Sequence, residues 1–276
     1  MNTTATTAAR QAEGFVQTPL FEGLARAGYV ARGLIYIVIG ICAIRLADGV
    51  NGQPASQTGA LKLIADQRFG HALLVLMAIG LGGYSLWRLA QVVFGTTPEA
   101  GRHSTLDRIG ALGSAVAYAT FCFIALSILL APETTAGNDQ KPRDVTRTAL
   151  EWPAGRWLVG AVGVLFLVVA GYQLYMGISR KFLEDSKVGE MDQSVRKAFT
   201  VLGVVGLCAR AVAFGLIGVF IFRAARDFKA SEAVGLDGAL ERLTRQSYGP
   251  TLLLIVALGL IAFGIYSIAD ARFRKI

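Results

Sequence analysis

Charged residues are scarce in this 276-residue sequence: Asp, Glu, Lys and Arg together make up 17% of it, against about 25% in an average soluble domain. Hydrophobic residues make up 54%, and the mean hydropathy is +0.52. That balance excludes a water-soluble globule and a disordered chain. Three cysteines in 276 residues cannot frame a disulfide scaffold. Cys42, Cys122 and Cys208 each sit alone inside an apolar run and read as small hydrophobes rather than redox groups. There are two histidines, His71 and His103, on opposite sides of the expected membrane, so a joint metal or haem site is not expected. The sequence also lacks HExxH, a P-loop lysine motif, GxSxG and a dinucleotide-binding glycine loop. No catalytic residue, metal or cofactor is therefore expected, and an enzyme is the least favoured class.

What is present is length without polarity. Six stretches reach the roughly 17–25 residues needed to span a bilayer: 29–47, 72–94, 109–130, 157–178, 198–222 and 251–269. They are continuous rather than alternating, which points to helices and not to a barrel. The first 20 residues are polar and lack the apolar core of a signal peptide, so they read as a disordered amino-terminal tail. The first span then serves as an uncleaved anchor.

The six spans fall into repeats. An offset of 178 pairs Gly28 with Gly206, Arg32 with Arg210, Tyr36 with Phe214 and Gly40 with Gly218. An offset of 179 pairs the connector GALKLIADQRFG, 59–70, with GALERLTRQSYG, 238–249, and runs on to Gly80/Gly259 and Trp87/Tyr266. A middle copy is more divergent: offset 82 pairs Gly28 with Gly110 and Tyr36 with Tyr118, and offset 85 pairs Gly70 with Gly155 and Trp87 with Tyr172. The expected fold is all-α, a polytopic membrane protein of six transmembrane helices. The units are 21–96, 104–182 and 196–276, each helix–connector–helix. An even number of spans per unit makes them parallel repeats, expected around a pseudo-threefold axis. Segments 59–68 and 238–246 are amphipathic and expected to lie along the membrane surface. In the middle unit Trp152-Pro153 replaces the Gln-x-aromatic step, which leaves room for a differently built connector.

The net charge is +8 and the pI about 9.6. Lys and Arg are spread over every loop without a basic stripe, so the expected partners are the bilayer and its anionic lipids, with a possible membrane protein partner, and not nucleic acid. Fourteen Lys and Arg fall in the tails and between units and twelve within units, with Arg210 inside a span. The count leans towards both termini in the cytoplasm.

Arginine inside the spans is the one chemical signal. Arg45 and Arg223 lie near span ends, where their stems can snorkel to the head groups. Arg32 and Arg210 fall at equivalent positions, Arg32 a few residues inside the first span and Arg210 deeper in the fifth, and the corresponding residue of the middle unit is Ser114. No carboxylate lies in any apolar core, Asp270 standing at the end of the last. Arg32 and Arg210 are therefore candidates for an anion or lipid-phosphate site, with Tyr36 and Tyr118 as hydrogen-bond donors one helical turn on. Snorkelling for the arginines, and aromatic packing for the tyrosines, are the structural alternatives.

The Gly-Ala-Leu connector, the Gln-x-aromatic-Gly step and the closing helices GLGGYSLWRL, 80–89, and GLIAFGIYSI, 259–268, resemble the bacterial membrane family catalogued as domain of unknown function 1206. The resemblance covers residues 21–276 in three copies and implies six transmembrane helices with no assigned activity. Two function classes follow: a non-catalytic membrane scaffold or accessory subunit, and a transporter or channel-like protein for a small anion or lipid. A dry apolar axis between the helices supports the first, and a polar central cavity the second.

Overall fold

The computed structural model describes residues 19–50, 55–94, 105–130, 141–229, 233–244 and 248–275. The expected disordered tail lies outside the described residues up to position 18, and the first helix opens at Pro19. The helices are α1 (Pro19–Ala47), α2 (Gln57–Ala65), α3 (Gly70–Phe94), α4 (Thr105–Leu130), α5 (Lys141–Leu150), α6 (Gly155–Ser179), α7 (Gln193–Arg226), α8 (Leu236–Thr244) and α9 (Gly249–Phe273). Among the described residues there is no strand, only one isolated bridge between Ser186 and Arg274.

Six of these helices, α1, α3, α4, α6, α7 and α9, are long and apolar enough to cross a membrane. Their ends follow helix chemistry. Glu22 stands in the first turn of α1 and Arg45 in its last, each complementing the helix dipole. Arg223 and Arg226 do the same at the end of α7. At 34 residues, α7 is about 51 Å long, so it outreaches a hydrocarbon core of about 30 Å.

The spanning helices pack in the order α4, α3, α1, α9, α7, α6. Units 1 and 3 are each a closed hairpin, α1 on α3 and α7 on α9, and they meet along α1 and α9. There Gly33 and Gly264 face each other so closely that a Cβ on either would come within 2.6 Å of the other's carbonyl oxygen. Small residues allow this approach, which matters in lipid, where apolar side chains gain nothing by leaving the solvent.

Contacts between units recur at equivalent positions. Gly40 of α1 lies against Ala257 and Ile261 of α9, Gly218 of α7 against Gly163 and Leu167 of α6, and Cys122 of α4 against Ala78 and Gly82 of α3. The middle unit breaks the pattern. Its helices α4 and α6 flank opposite ends of the row and have next to no contact with each other. The expected pseudo-threefold arrangement is therefore incomplete among the described residues. Burial records the difference: Trp87 is 5% exposed and Tyr266 3%, whereas Tyr172, at the same place in the middle unit, is 56% exposed.

The connectors bear on two expectations. The short helices α2 and α8 bury one side in the protein. Ala60 and Leu61, and their counterparts Ala239 and Leu240, are wholly buried. Gln57 and Leu236, in the first turns of α2 and α8, line one cavity with Tyr36 and Arg210. Tyr36 is 11 residues short of the end of α1, about 16 Å along the axis, so the first turns of α2 and α8 reach towards the inside of the bundle. The middle connector shares the first one's joint with the second helix but is otherwise built differently, α5 packing mainly on α6 where α2 packs on α1, α3 and α4. Gly70 donates to the Gln67 carbonyl and Gly155 to the Trp152 carbonyl, at 2.7 and 2.9 Å. At Gly70, Gly155 and Gly249 alike, a Cβ would overlap a backbone carbonyl six residues earlier, of Ile64, Ala149 and Leu243. Trp152-Pro153 leaves this joint intact because the constraint acts on the glycine and on the backbone.

Candidate functional site: two arginines between the repeats

The interior is aromatic. Tyr36 of α1 packs edge-on against Phe263 of α9, with centroids 4.8 Å apart, and Tyr84 of α3 packs on Tyr118 of α4 at 4.5 Å. Both Tyr36 and Tyr118 are buried. Tyr118 shares Tyr84 with Arg32, and Arg32 and Arg210 both stand at the Phe263 ring, at 5.3 and 4.4 Å from its centre. The four residues singled out from the sequence thus gather in one interior region, drawn from α1, α4 and α7.

Arg32 is buried and fully engaged. Its Nε donates to Ser267 Oγ at 2.8 Å and its Nη1 to the Tyr84 hydroxyl at 3.3 Å. Its Nη2 faces Asp270 Oδ2 at 3.9 Å, and its guanidinium carbon stands 4.5 Å from the Tyr29 ring centre. Ser267 in turn donates to the Tyr29 carbonyl. The Tyr84 hydroxyl also accepts from Arg88 Nε and Nη2 at 3.0 and 2.9 Å. The expectation that Arg32 meets no carboxylate is corrected: Asp270 is buried, not at a wetted helix end. Ser186 donates to it at 3.3 Å, and Arg274 lies 3.6 Å away. Arg274 also pairs with Asp185 at 3.0 Å, and the backbone of Lys187 and Lys275 completes the clasp with Phe273 and Asp185. This clasp folds the segment between α6 and α7 over the end of α9 and seals Asp270 from water.

Arg210 is different. Its guanidinium carbon lies among rings, 4.4 Å from Phe263, 5.0 Å from Tyr36 and 5.3 Å from Phe214. It has no hydrogen bond or ion pair among the described residues, and its Nε is buried without a partner. Beside it lies a cavity of about 10 Å³, lined by Tyr36, Gln57, Ala213 and Leu236 among others, with room for one water molecule. Arg45 and Arg223, by contrast, are exposed near helix ends, as snorkelling residues are. Ser114, at the equivalent place in α4, is half-buried and donates to its own helix at the Gly110 carbonyl.

Comparison with known proteins decides the family. The model of a domain of unknown function, DUF1206, matches three times, over residues 27–95, 109–180 and 205–274. The chain belongs to the DUF1206 family. It is also 31% identical over 257 residues to the uncharacterized protein YxxB of Bacillus subtilis strain 168, covering 93% of this chain and 92% of that one. No solved structure matches. This chain thus carries three copies of the DUF1206 unit, of which two close as hairpins while the two long helices of the third, among the described residues, stand apart.

Three residues of the site escaped the sequence reading. Asp270 sits just past the last apolar run, so its burial depends on the clasp with Ser186 and Arg274. Tyr84 reads as one more aromatic of a core helix. Gln173 is an amide inside the apolar run of α6, and both of its polar atoms are buried without partners. Its isolation in that run was the one available signal.

Proposed function

We propose that this DUF1206 protein is a non-catalytic scaffold or accessory subunit of the bacterial cytoplasmic membrane, with both termini in the cytoplasm. The observation that carries the reading is the aromatic filling between the units among the described residues. Tyr36, Tyr84, Tyr118, Phe214 and Phe263 occupy the space between the units, and the gap beside Arg210 holds no more than a water-sized guest. The partners on this reading are anionic lipids at the basic rims and a membrane protein. The long exposed flanks of α4 and α6 support the latter. The test is reconstitution in liposomes. Chloride and phosphate are expected to leak no faster than from protein-free liposomes, and flux that scales with protein content overturns the scaffold reading. The second reading, a transporter for a small anion or lipid, is favoured by one observation, the unpaired guanidinium of Arg210.

A further inference from the structure

Two guanidinium groups converge on the hydroxyl of Tyr84, a side chain that is only 1% exposed. Its oxygen receives three N–H groups, from Arg32 Nη1 at 3.3 Å, Arg88 Nε at 3.0 Å and Arg88 Nη2 at 2.9 Å. A neutral hydroxyl has two lone pairs to offer and must also place its own proton. Among the described residues the Tyr84 hydroxyl donates to no acceptor. A phenolate has three lone pairs and no proton to place, so three donors and no acceptor fit the ionised oxygen.

The charges around Tyr84 point the same way. Arg274 has Asp185 at 3.0 Å and Asp270 at 3.6 Å, and Asp270 also faces Arg32 at 3.9 Å. The third arginine of the cluster, Arg88, meets Tyr84 and the Gln91 amide oxygen and no carboxylate among the described residues. Three arginines therefore share two carboxylates. The helices nearby offer no further acid: α3 carries none, and the one in α1 is Glu22, which pairs with Arg26. The other titratable groups against the Tyr84 ring are Tyr29 of α1 and Tyr118 of α4, with centroids at 5.0 and 4.5 Å, and neither is bonded to its oxygen among the described residues. A buried cation without a counter-charge is costly, and an ionised Tyr84 brings the cluster to three charges of each sign. The repeat supplies a contrast. At offset 179, Phe263 and Ser267 take the places of Tyr84 and Arg88, so unit 3 lacks both the hydroxyl and the second guanidinium.

We propose that Tyr84 is a proton-binding site inside the third helix, held as a phenolate between Arg32 and Arg88 at neutral pH. The O–H bond breaks as the chain folds, the proton goes to bulk water, and the electron pair stays on the oxygen to receive the third N–H. When the proton returns, the oxygen keeps two acceptor positions, one guanidinium N–H is released, and the cluster gains a positive charge where α1, α3 and the end of α9 meet. Arg88 is half-buried and links the oxygen to the rim, the route by which the proton comes and goes. The site goes beyond the scaffold reading and fails independently of it, because it concerns the charge on one oxygen and not flux.

The test uses the full chain, purified in detergent and read by the near-ultraviolet absorption of tyrosinate. An ordinary tyrosine ionises at about pH 10, so a tyrosinate band at pH 8 marks an unusual one. Such a band is expected from one of the eight tyrosines in the folded protein, and it is expected to vanish on unfolding in guanidinium chloride at the same pH. Tyr84→Phe is expected to lose the band, and Tyr29→Phe and Tyr118→Phe to keep it. Arg88→Gln is expected to move its pH midpoint upwards by about one unit or more, the scale of one charged hydrogen bond. A folded protein without tyrosinate at pH 8 overturns the proposal, and so does a band that persists in Tyr84→Phe. Should Tyr84→Phe fail to fold, Arg88→Gln decides: a midpoint that does not move overturns the proposal as well.

Discussion

The outer units and the middle unit share a sequence pattern and differ in what they do with it. In unit 1, Gly28 admits the backbone of α3 at Tyr84. In unit 3, its counterpart Gly206 admits α9 at Phe263, the residue equivalent to Tyr84. The middle unit keeps the glycine, Gly110, yet a Cβ there would meet open space. The position equivalent to Tyr84 is Val169, which is exposed. A close-approach glycine is thus necessary for the hairpin contact but does not produce it. The second helix must also present a large side chain against that glycine, and the middle unit has lost it. Contacts between units need less, because a small residue on one helix facing a small or flexible one on the next is enough. They survive in all three copies.

The largest expected effect lies where units 1 and 3 meet. Asp270→Ala removes the one carboxylate beside Arg32 and leaves a buried charge uncompensated, a loss of about 3–5 kcal/mol. It is expected to abolish cooperative unfolding in detergent at temperatures the parent survives. Met176→Ala, at the equivalent place in the middle unit, removes only packing. If both substitutions cost the same, the distinction between a paired and an unpaired arginine is wrong. Next come Gly28→Leu and Gly206→Leu, each of which drives a side chain into the facing helix. Overpacking of this kind costs about 1–3 kcal/mol or more, read as a lowered unfolding midpoint with the two variants matching.

A third expectation concerns what the middle unit retains. Gly70→Ala, Gly155→Ala and Gly249→Ala each push a methyl group onto a carbonyl at the same joint. Each is expected to destabilise by a similar amount, about 1–2 kcal/mol by the same overpacking argument. A harmless Gly155→Ala would mean that the middle joint is built differently after all.

The number of spans, the repeat pairing and the gathering of Arg32, Arg210, Tyr36 and Tyr118 were legible in the sequence, because apolar length and fixed offsets carry that information. The inward reach of α2 and α8 was not. Their amphipathic spacing is as compatible with a protein wall as with a head-group layer, and only the buried Leu61 and Leu240 tell the two apart. Nor was the pairing of Arg32. A carboxylate just past an apolar run looks wetted until a distant loop covers it, and Ser186 and Asp185 are more than eighty residues away in sequence. The open middle unit was hidden for a related reason: an offset shows which residues correspond, not whether their helices touch.

The smallest expected effect sharpens the comparison most. Gly110→Leu changes the same repeat position as Gly28→Leu and Gly206→Leu, with the same side chain in a helix of the same length class. Its neighbourhood is empty and Gly110 itself is exposed, so the leucine enters lipid rather than another helix. Losing a helical glycine also slightly favours the helix. The unfolding midpoint is therefore expected to move by no more than a surface substitution does, within about 0.5 kcal/mol. A loss like that of Gly28→Leu would mean that another helix covers Gly110, either α6 closing the middle unit or a partner seated on it. Cysteines placed at 116 on α4 and 168 on α6 then separate those cases. Both positions are exposed, and a cross-link within one chain would show the middle unit closing, whereas its absence leaves Gly110 covered by something outside the chain.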